Sequence, residues 1–543
     1  MNAEQLLSAN DFNLDRAFVN VLDGQQKQLG YNSHMVSDLA SLVRCRMKYL
    51  ERTKNRSKSH ELEFLTQEQY VWDLLDVVSR IQPSDPPAAQ CSEIKAFIET
   101  LPSSEDTSKA EDMVAEVEEE IRELVKKNRL FANARAPKTT EEFEKLNERL
   151  LRSVRRGNHK EAIEISENED EPWRTMLLTK YLDDINKAKA GGRLDWLPDQ
   201  RTAWRKTYSA IMSRDGLGQY EAALHGIITG DITHVLPVCR SWEDVIWTFY
   251  NARVQEAIEH QIYDDSKNRQ QLYLLTDEIV NMARNEDDSE RDTGLSFFHN
   301  IALAILTGNI SRFITSLNIA KSFDPNTREH ALRCIAALIV YYNEHMKEPM
   351  TKEANDIIRH YAELNGKPNT LRPKILAYYA SHLPKTSQIE LVSDFLSNYS
   401  WDEDEQSILF DMGRQFELDI VSIARRTAAK EINAYLEEEK TSSAQRPRAI
   451  RFDDDISERA KRCLRSFKWL LMDEALYFDA VSFANQLIQH ALATHRSQLA
   501  EAVLAAVPVS VTNLCMLQLG KASRKFPDEL CTLEKYRQLL LTK

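Results

Sequence analysis

The chain has 543 residues, 28% of them charged, and a formal net charge of −14, so it offers no global positive field to recruit nucleic acid or an anionic membrane. Only 14 Gly and 16 Pro punctuate it, between long stretches with helical apolar periodicity, which favours an all-α chain. Seven scattered cysteines with no CxxC pair argue against a disulfide framework or a zinc module and point to a reducing compartment.

In chain order, the opening MNAEQLLSANDFNLDRAF lacks the basic region and unbroken apolar stretch of a secretory signal. A basic run from Arg46 to Lys58 reads as a solvated helix end and loop. QPSDPPAAQ, Gln82 to Gln90, is a proline-rich connection, and Ser103 to Glu120 is acidic but keeps Val114, Val117, Ile121 and Leu124 on one helical face. At Thr139 a capping box with Glu142 starts a helix whose apolar stripe is Phe143, Leu146, Leu150, Leu151 and Val154. Gly157 suits the left-handed turn that ends it, and Ala162 and Ile163 open a shorter helix.

Pro172 fits the first turn of a third helix, Pro172 to Asp184. That helix carries Trp173, Met176, Leu177, Leu178 and Tyr181, more apolar surface than one buried stripe requires, so these five are the candidate partner interface. Downstream, Ile228-Thr-Gly-Asp-Ile-Thr233 and its echo Leu306-Thr-Gly-Asn-Ile-Ser311 each end one apolar helix and start another. An irregular stack of helical hairpins is the expected architecture, with no strict repeat.

The stretch LPVCRSWEDVIW, Leu236 to Trp247, mixes a thiol, a hydroxyl and two acids, yet each has a structural use. Ser241 is an N-cap; Glu243 and Asp244 fall in the first helical turn, where the helix dipole favours negative charge. Trp242, Val245, Ile246 and Phe249 make one stripe, and Trp247, Tyr250, Val254 and Ile258 another, as in a helix wedged between two neighbours. Cys239 reads as a small buried apolar residue. His330 with Cys334 and His490 with His495 are isolated pairs that close no tetrahedral site. There is no HExxH, GxSxG or phosphate-binding glycine loop, so no catalytic residue, metal or cofactor is expected. The longest apolar run, Cys334 to Tyr342, is too short for a membrane span. The stretch from Glu437 to Asp455 is polar and charged and reads as a mobile surface loop.

Five blocks carry a resemblance: RRGNHKEAIEISENEDEPWR (Arg155 to Arg174), AWRKTYSAI (Ala203 to Ile211), YEAALHGIITGDITHVLPVCRSWEDVIWTFY (Tyr220 to Tyr250), YYASHLP (Tyr378 to Pro384) and WLLMDEALYFDAV (Trp469 to Val481). In order and content they resemble the scaffold nucleoporin family of the nuclear pore Y-complex, known by nominal masses of 84 and 107 kilodaltons. The resemblance implies a folded-back α-solenoid of the ancestral coatomer element type. It would run as trunk helices over 1–92, a crown and adjoining helices over 93–270, returning trunk helices over 271–455 with the loop 437–455, and the start of a tail over 456–543. It further implies a structural link in the Y stem at the nuclear envelope, with the crown binding the hub-side coat-like nucleoporin and the tail the stem-tip nucleoporin. Pore assembly, mRNA export and protein import would follow, with visits to kinetochores in mitosis for some members. After Trp469 family members continue through a long helical tail, whereas here 75 residues remain, so a shortened tail and a weakened stem-tip contact are expected. The chain contains no Phe-Gly dipeptide, which sets it apart from cargo-binding meshwork proteins. The competing readings are a coat or adaptor solenoid of vesicle traffic, with the basic run as its membrane-facing feature, and an enzyme built from distant residues.

Overall fold

The computed structural model describes residues 14–27, 35–53, 59–82, 84–101, 140–169, 172–213, 217–263, 274–275, 279, 295–317, 328–345, 350–367, 372–399, 401–445, 456–494, 496–522 and 528–541. Among them every regular element is helical and none is a strand. They fall into two compact units, the first within 30–324 and the second built from 11–29 together with 325–543.

The chain's first described helix, α1 (Leu14–Lys27), therefore belongs to the second unit. In the first unit lie α2 (Met35–Thr53), α3 (Ser59–Arg80), α4 (Pro87–Glu99), α5 (Thr140–Arg155), α6 (His159–Asn168), α7 (Pro172–Lys189), α8 (Pro198–Met212), α9 (Gln219–Thr229), the single turn α10 (Ile232–Val235), α11 (Trp242–Tyr263), α12 (Leu295–Thr307) and α13 (Ile310–Ser316). Neighbours in sequence pack as hairpins, α2 on α3, α6 on α7 and α12 on α13. The most extensive pairing joins α4 to α11, with α7 against both.

The helix ends follow from local chemistry. Gly157, Gly230 and Gly308 adopt φ of +73°, +78° and +66°. That left-handed backbone stops α5, α9 and α12, and both copies of the threonine-glycine echo use it. At Gly157 a Cβ would also stand 2.6 Å from a Glu99 carboxylate oxygen, which would have to shift, but the positive φ is what requires glycine. The proline-rich connection is shorter than its composition suggests, because Pro87 is the first residue of α4 and only the stretch before it is a turn. Gln90 clasps that turn by donating to the carbonyls of Gln82 and Asp85 at 3.2 and 2.9 Å. In the basic run Arg46 forks onto Glu61 at 2.9 and 2.7 Å, while residues 54–58 lie outside the described residues. The Thr139 cap and the acidic stretch 103–120 also lie outside them.

The second unit holds α14 (Arg328–His345), α15 (Lys352–Asn365), α16 (Pro373–Ser381), α17 (Lys385–Asn398), α18 (Glu403–Gln415), α19 (Ile420–Gln445), α20 (Glu458–Phe467), α21 (Tyr477–Ala493), α22 (Ser497–Ala506), α23 (Val509–Ala522) and α24 (Asp528–Leu541). Its core is rich in tyrosine: Tyr361, Tyr378 and Tyr379 are all buried, with ring centroids 4.9 Å (Tyr361–Tyr379) and 5.3 Å (Tyr378–Tyr379) apart. α1 packs on α16. Asp15 in its first turn accepts hydrogen bonds from the Tyr361 hydroxyl at 2.8 Å and Arg372 at 2.5 Å, so the chain folds back on itself across 346 positions.

The expected loop 437–455 is corrected over its first half, since Glu437 to Gln445 continue α19 as regular helix. Glu, Lys, Ala and Gln are strong helix formers, and Arg459 of α20 pairs with Glu438 to hold the extension. Residues 446–455 lie outside the described residues. His330 engages Arg333, with 3.0 Å between Nδ1 and Nη1, and His495 lies outside the described residues. No single described helix is long and apolar enough to cross a membrane; the apolar pair 497–506 and 509–517 is bent by 57°.

Candidate partner-binding surface

The stretch Ser241 to Trp247 is the packing centre of the first unit. Ser241 Oγ accepts from the Asp244 backbone N–H at 3.3 Å and so caps α11. Burial raises the pKa of Glu243. Trp242 and Trp247 are both buried, Trp242 between Tyr70 and His299 with ring centroids at 5.9 and 4.5 Å. Cys239 departs from expectation: it is half-buried, its sulfur 3.5 Å from Thr248 Oγ1.

Trp247 leads into a buried polar network. Its Nε1 donates to Glu99 at 3.1 Å, and the fully buried Lys95 stands 3.5 Å from the same carboxylate. Lys95 donates to the Tyr181 hydroxyl at 2.9 Å, that hydroxyl donates to Asn251 Oδ1 at 2.5 Å, and Asn251 Nδ2 donates to the Ile227 carbonyl at 2.7 Å. Burial lowers the Lys95 pKa, against the pull of Glu99. One hydrogen-bonded chain thus ties α4, α7, α11 and α9.

This network decides the fate of the candidate interface on α7. Leu177, Leu178 and Tyr181 are buried, Tyr181 through its hydrogen bonds to Lys95 of α4 and Asn251 of α11, and Leu177 and Tyr181 form the floor of a cleft beside α7. Trp173 and Met176, on the same cleft, are 42% and 73% exposed. With the loop residue Trp196 and α8 they line a cleft of about 350 Å³.

Helix α8 makes the far wall of that cleft and is unusual, because Arg201 and Met212 are its only buried residues. Arg201 anchors it, donating to Glu259 at 2.6 Å and Gln255 at 3.2 Å with its guanidinium 4.3 Å from the Trp204 ring and 5.1 Å from Trp196. Trp196 is fixed by donating to Asp184 at 2.7 Å, and Lys180 sits 5.2 Å from its ring. Tyr208 packs at a tilt against Trp204 and His225, with ring centroids at 4.8 and 5.2 Å. Leu197, 61% exposed, stands at the start of α8. The result is a preformed aromatic wall whose cations are already seated on ring faces, with apolar side chains held in water at its rim. The residues Trp196, Leu197, Trp204 and Tyr208 were missed as site candidates; Trp204 and Tyr208 at i, i+4 spacing were the only sequence signal.

His225 lies buried at the back of this wall. Burial, together with the nearby Arg174, pushes its pKa down to about 4 from an ordinary 6.5. The unfolded chain therefore takes up a proton that the folded unit refuses. Stability is full above about pH 6.5 and falls as pH drops towards about 4, by up to about 3 kcal/mol. Urea titrations across that window are expected to show this limb in the native sequence and a flatter one in His225→Gln; parallel curves would mean that the folded imidazole is charged.

Among the described residues no three or more His, Cys, Asp or Glu side chains gather at metal-binding reach. The family model described as nuclear pore protein 84 / 107 matches residues 141–539. The chain is 22% identical to the human nuclear pore complex protein Nup107 over 378 residues, 66% of this chain and 40% of that protein. It is likewise 22% identical to nucleoporin nup107 of Schizosaccharomyces pombe over 358 residues, 60% of this chain and 42% of the relative. A segment of 58 residues is 38% identical to nucleoporin NUP84 of Chaetomium thermophilum, 11% of this chain and 6% of that protein. The chain spans about two fifths of the length of the Nup107 relatives.

Proposed function

Because the chain belongs to the nuclear pore protein 84 / 107 family, whose model covers most of it, we propose that it is a structural scaffold of the nuclear pore complex at the nuclear envelope. It links neighbouring subunits of the Y-complex stem and thereby supports pore assembly, mRNA export and protein import. Residues 93–270 act as its crown, and the crown docks the hub-side coat-like nucleoporin. Family membership carries the scaffold reading. The aromatic cleft between α7 and α8 supports a docking role for the crown, since exposed Trp, Met and Leu around a preformed cleft are the raw material of an interface hot spot.

The test is affinity purification of the chain from cells, followed by mass spectrometry, for the native sequence and the variant Trp173→Ala/Met176→Asp. Both positions are exposed, so the variant is expected to fold with unchanged helicity. Its binding of the hub-side neighbour is expected to weaken by at least about 2 kcal/mol, roughly thirtyfold in Kd. A folded variant with native recovery of that neighbour would remove the cleft from the interface. Recovery of vesicle-coat components without nucleoporins would overturn the scaffold reading itself.

A further inference from the structure

The wall of the cleft between α7 and α8 is a continuous run of rings. Trp196 lies 5.6 Å from Trp204 at a tilt of 56°, and Trp204 lies 4.8 Å from Tyr208 at 49°. Tyr208 leads on through His225 to Trp173, with centroids at 5.2 and 6.0 Å. Neighbouring rings set at such angles leave notches between edge and face rather than one flat plate.

The charges of the lining are already answered in pairs. Lys180 stands 2.8 Å from Asp184, and Arg201 stands 2.6 Å from Glu259. Both cations also lie over ring faces, Lys180 over Trp196 and Arg201 over Trp196 and Trp204. A second cation brought to those rings meets a like charge, so a lysine, an arginine or a quaternary ammonium is a poor occupant. No charged side chain of the lining is left without an opposite partner, and the electrostatic complement of the cleft is therefore an uncharged segment.

Hydrogen-bond donors, by contrast, remain. Trp196 Nε1 is committed to Asp184, but the Trp204 indole N–H and the Tyr208 hydroxyl make no hydrogen bond among the described residues, and neither is shut off from solvent. They lie about one helical turn apart on α8. Burial raises the Tyr208 pKa, so its hydroxyl keeps its proton near neutral pH.

We propose that this cleft takes a proline-rich segment of a partner protein in the polyproline II conformation, an inference that rests on the cleft's docking role and names the chemistry of what docks. A polyproline II backbone makes no internal hydrogen bonds, so its carbonyls are free to accept from Trp204 and Tyr208, whereas a docked helix has already used its own. Proline rings are uncharged, fit notches between aromatic side chains and lose little conformational freedom on binding.

The probe is capped decaproline carrying a fluorophore, titrated with the full chain and read by anisotropy. Saturable binding is expected, nearly independent of salt because no ion pair forms, with a glycine–serine peptide of equal length at least about tenfold weaker. Tyr208→Phe keeps the ring and removes the donor, and is expected to weaken binding about three- to tenfold. Trp204→Phe/Tyr208→Phe is expected to weaken it further with an unaltered thermal unfolding curve, since both side chains are half-buried. Absence of saturable binding, equal affinity in the double variant, or equal affinity for the glycine–serine peptide would overturn the proposal. So would a leucine-rich amphipathic helical peptide that binds the native chain, but not Trp173→Ala/Met176→Asp, where decaproline fails. Each of these leaves the docking role standing if Trp173→Ala/Met176→Asp still loses the hub-side neighbour. Decaproline binding together with native recovery of that neighbour by Trp173→Ala/Met176→Asp removes the cleft from that interface and keeps the proline-rich ligand.

Discussion

Replacing Lys95 by methionine is expected to destabilise the first unit by about 3–5 kcal/mol, the usual cost of breaking a buried ion pair from one side. Lys95 is fully enclosed, 3.5 Å from Glu99 and 2.9 Å from the Tyr181 hydroxyl, with its ammonium 5.1 Å from the Trp247 ring and 5.4 Å from that of Tyr181. Methionine fills the space but leaves the Glu99 carboxylate with its charge unanswered. The double variant Lys95→Met/Glu99→Gln removes both charges and keeps an acceptor for Trp247 Nε1, so it is expected to recover most of the loss. Hydrogen exchange along α4, α7 and α11 separates the outcomes. A single variant costing under about 1 kcal/mol, or a double variant worse than the single, would show that the pair does not organise the helices around it.

Asp15→Leu is expected to cost a comparable amount, about 3–5 kcal/mol, but in the other unit. Burial alone would raise the Asp15 pKa; Arg333 and Arg372, helped by the Tyr361 hydroxyl, outweigh it and hold the carboxyl below its ordinary range. A lowered carboxylate pKa means that its stabilisation is present above about pH 4 and is lost as pH falls below that. Leucine in its place takes the carboxylate away from the buried Arg333 and Tyr361 hydroxyl and from the half-buried Arg372. Faster exchange is expected in α1, α14, α15 and α16, with α11 unchanged. Faster exchange confined to α1 would mean that the first helix is only an appendage of the second unit.

Neither network could be read from the chain, although their members are conspicuous in it. Asp15 looks like any first-turn acid, and its partners lie more than three hundred positions away. Lys95 reads as a polar position on a short helix. Burial of such groups is decided by which helices converge, not by local pattern.

The cleft on α7 gives the same lesson at closer range. Trp173, Met176, Leu177, Leu178 and Tyr181 are more apolar surface than one stripe requires, and that much is legible in the sequence. Composition could not tell how deeply each would sit, with Leu177 and Tyr181 buried and Trp173 and Met176 exposed along one cleft. The far wall was missed because α8 is held by a single buried arginine rather than by an apolar stripe, and periodicity detects stripes. The expected loop 437–455 is helix over its first half for a related reason: low apolar content does not exclude helix, and helix propensity with the Arg459–Glu438 pair carries α19 onward to Gln445.

By itself the sequence determined the all-helical class, the left-handed stops at Gly157, Gly230 and Gly308, the cap at Ser241, the doubly apolar helix behind it and the blocks that mark the family. Each is set within a few residues, by backbone sterics, orphan N–H groups or the 3.6-residue period. Only the tertiary structure decided that α1 joins the second unit, that a lysine and an aspartate sit in the cores, and which face of α7 meets water. Those outcomes depend on desolvation and pairing between distant segments, where the free energy of a side chain is fixed by what the fold brings beside it.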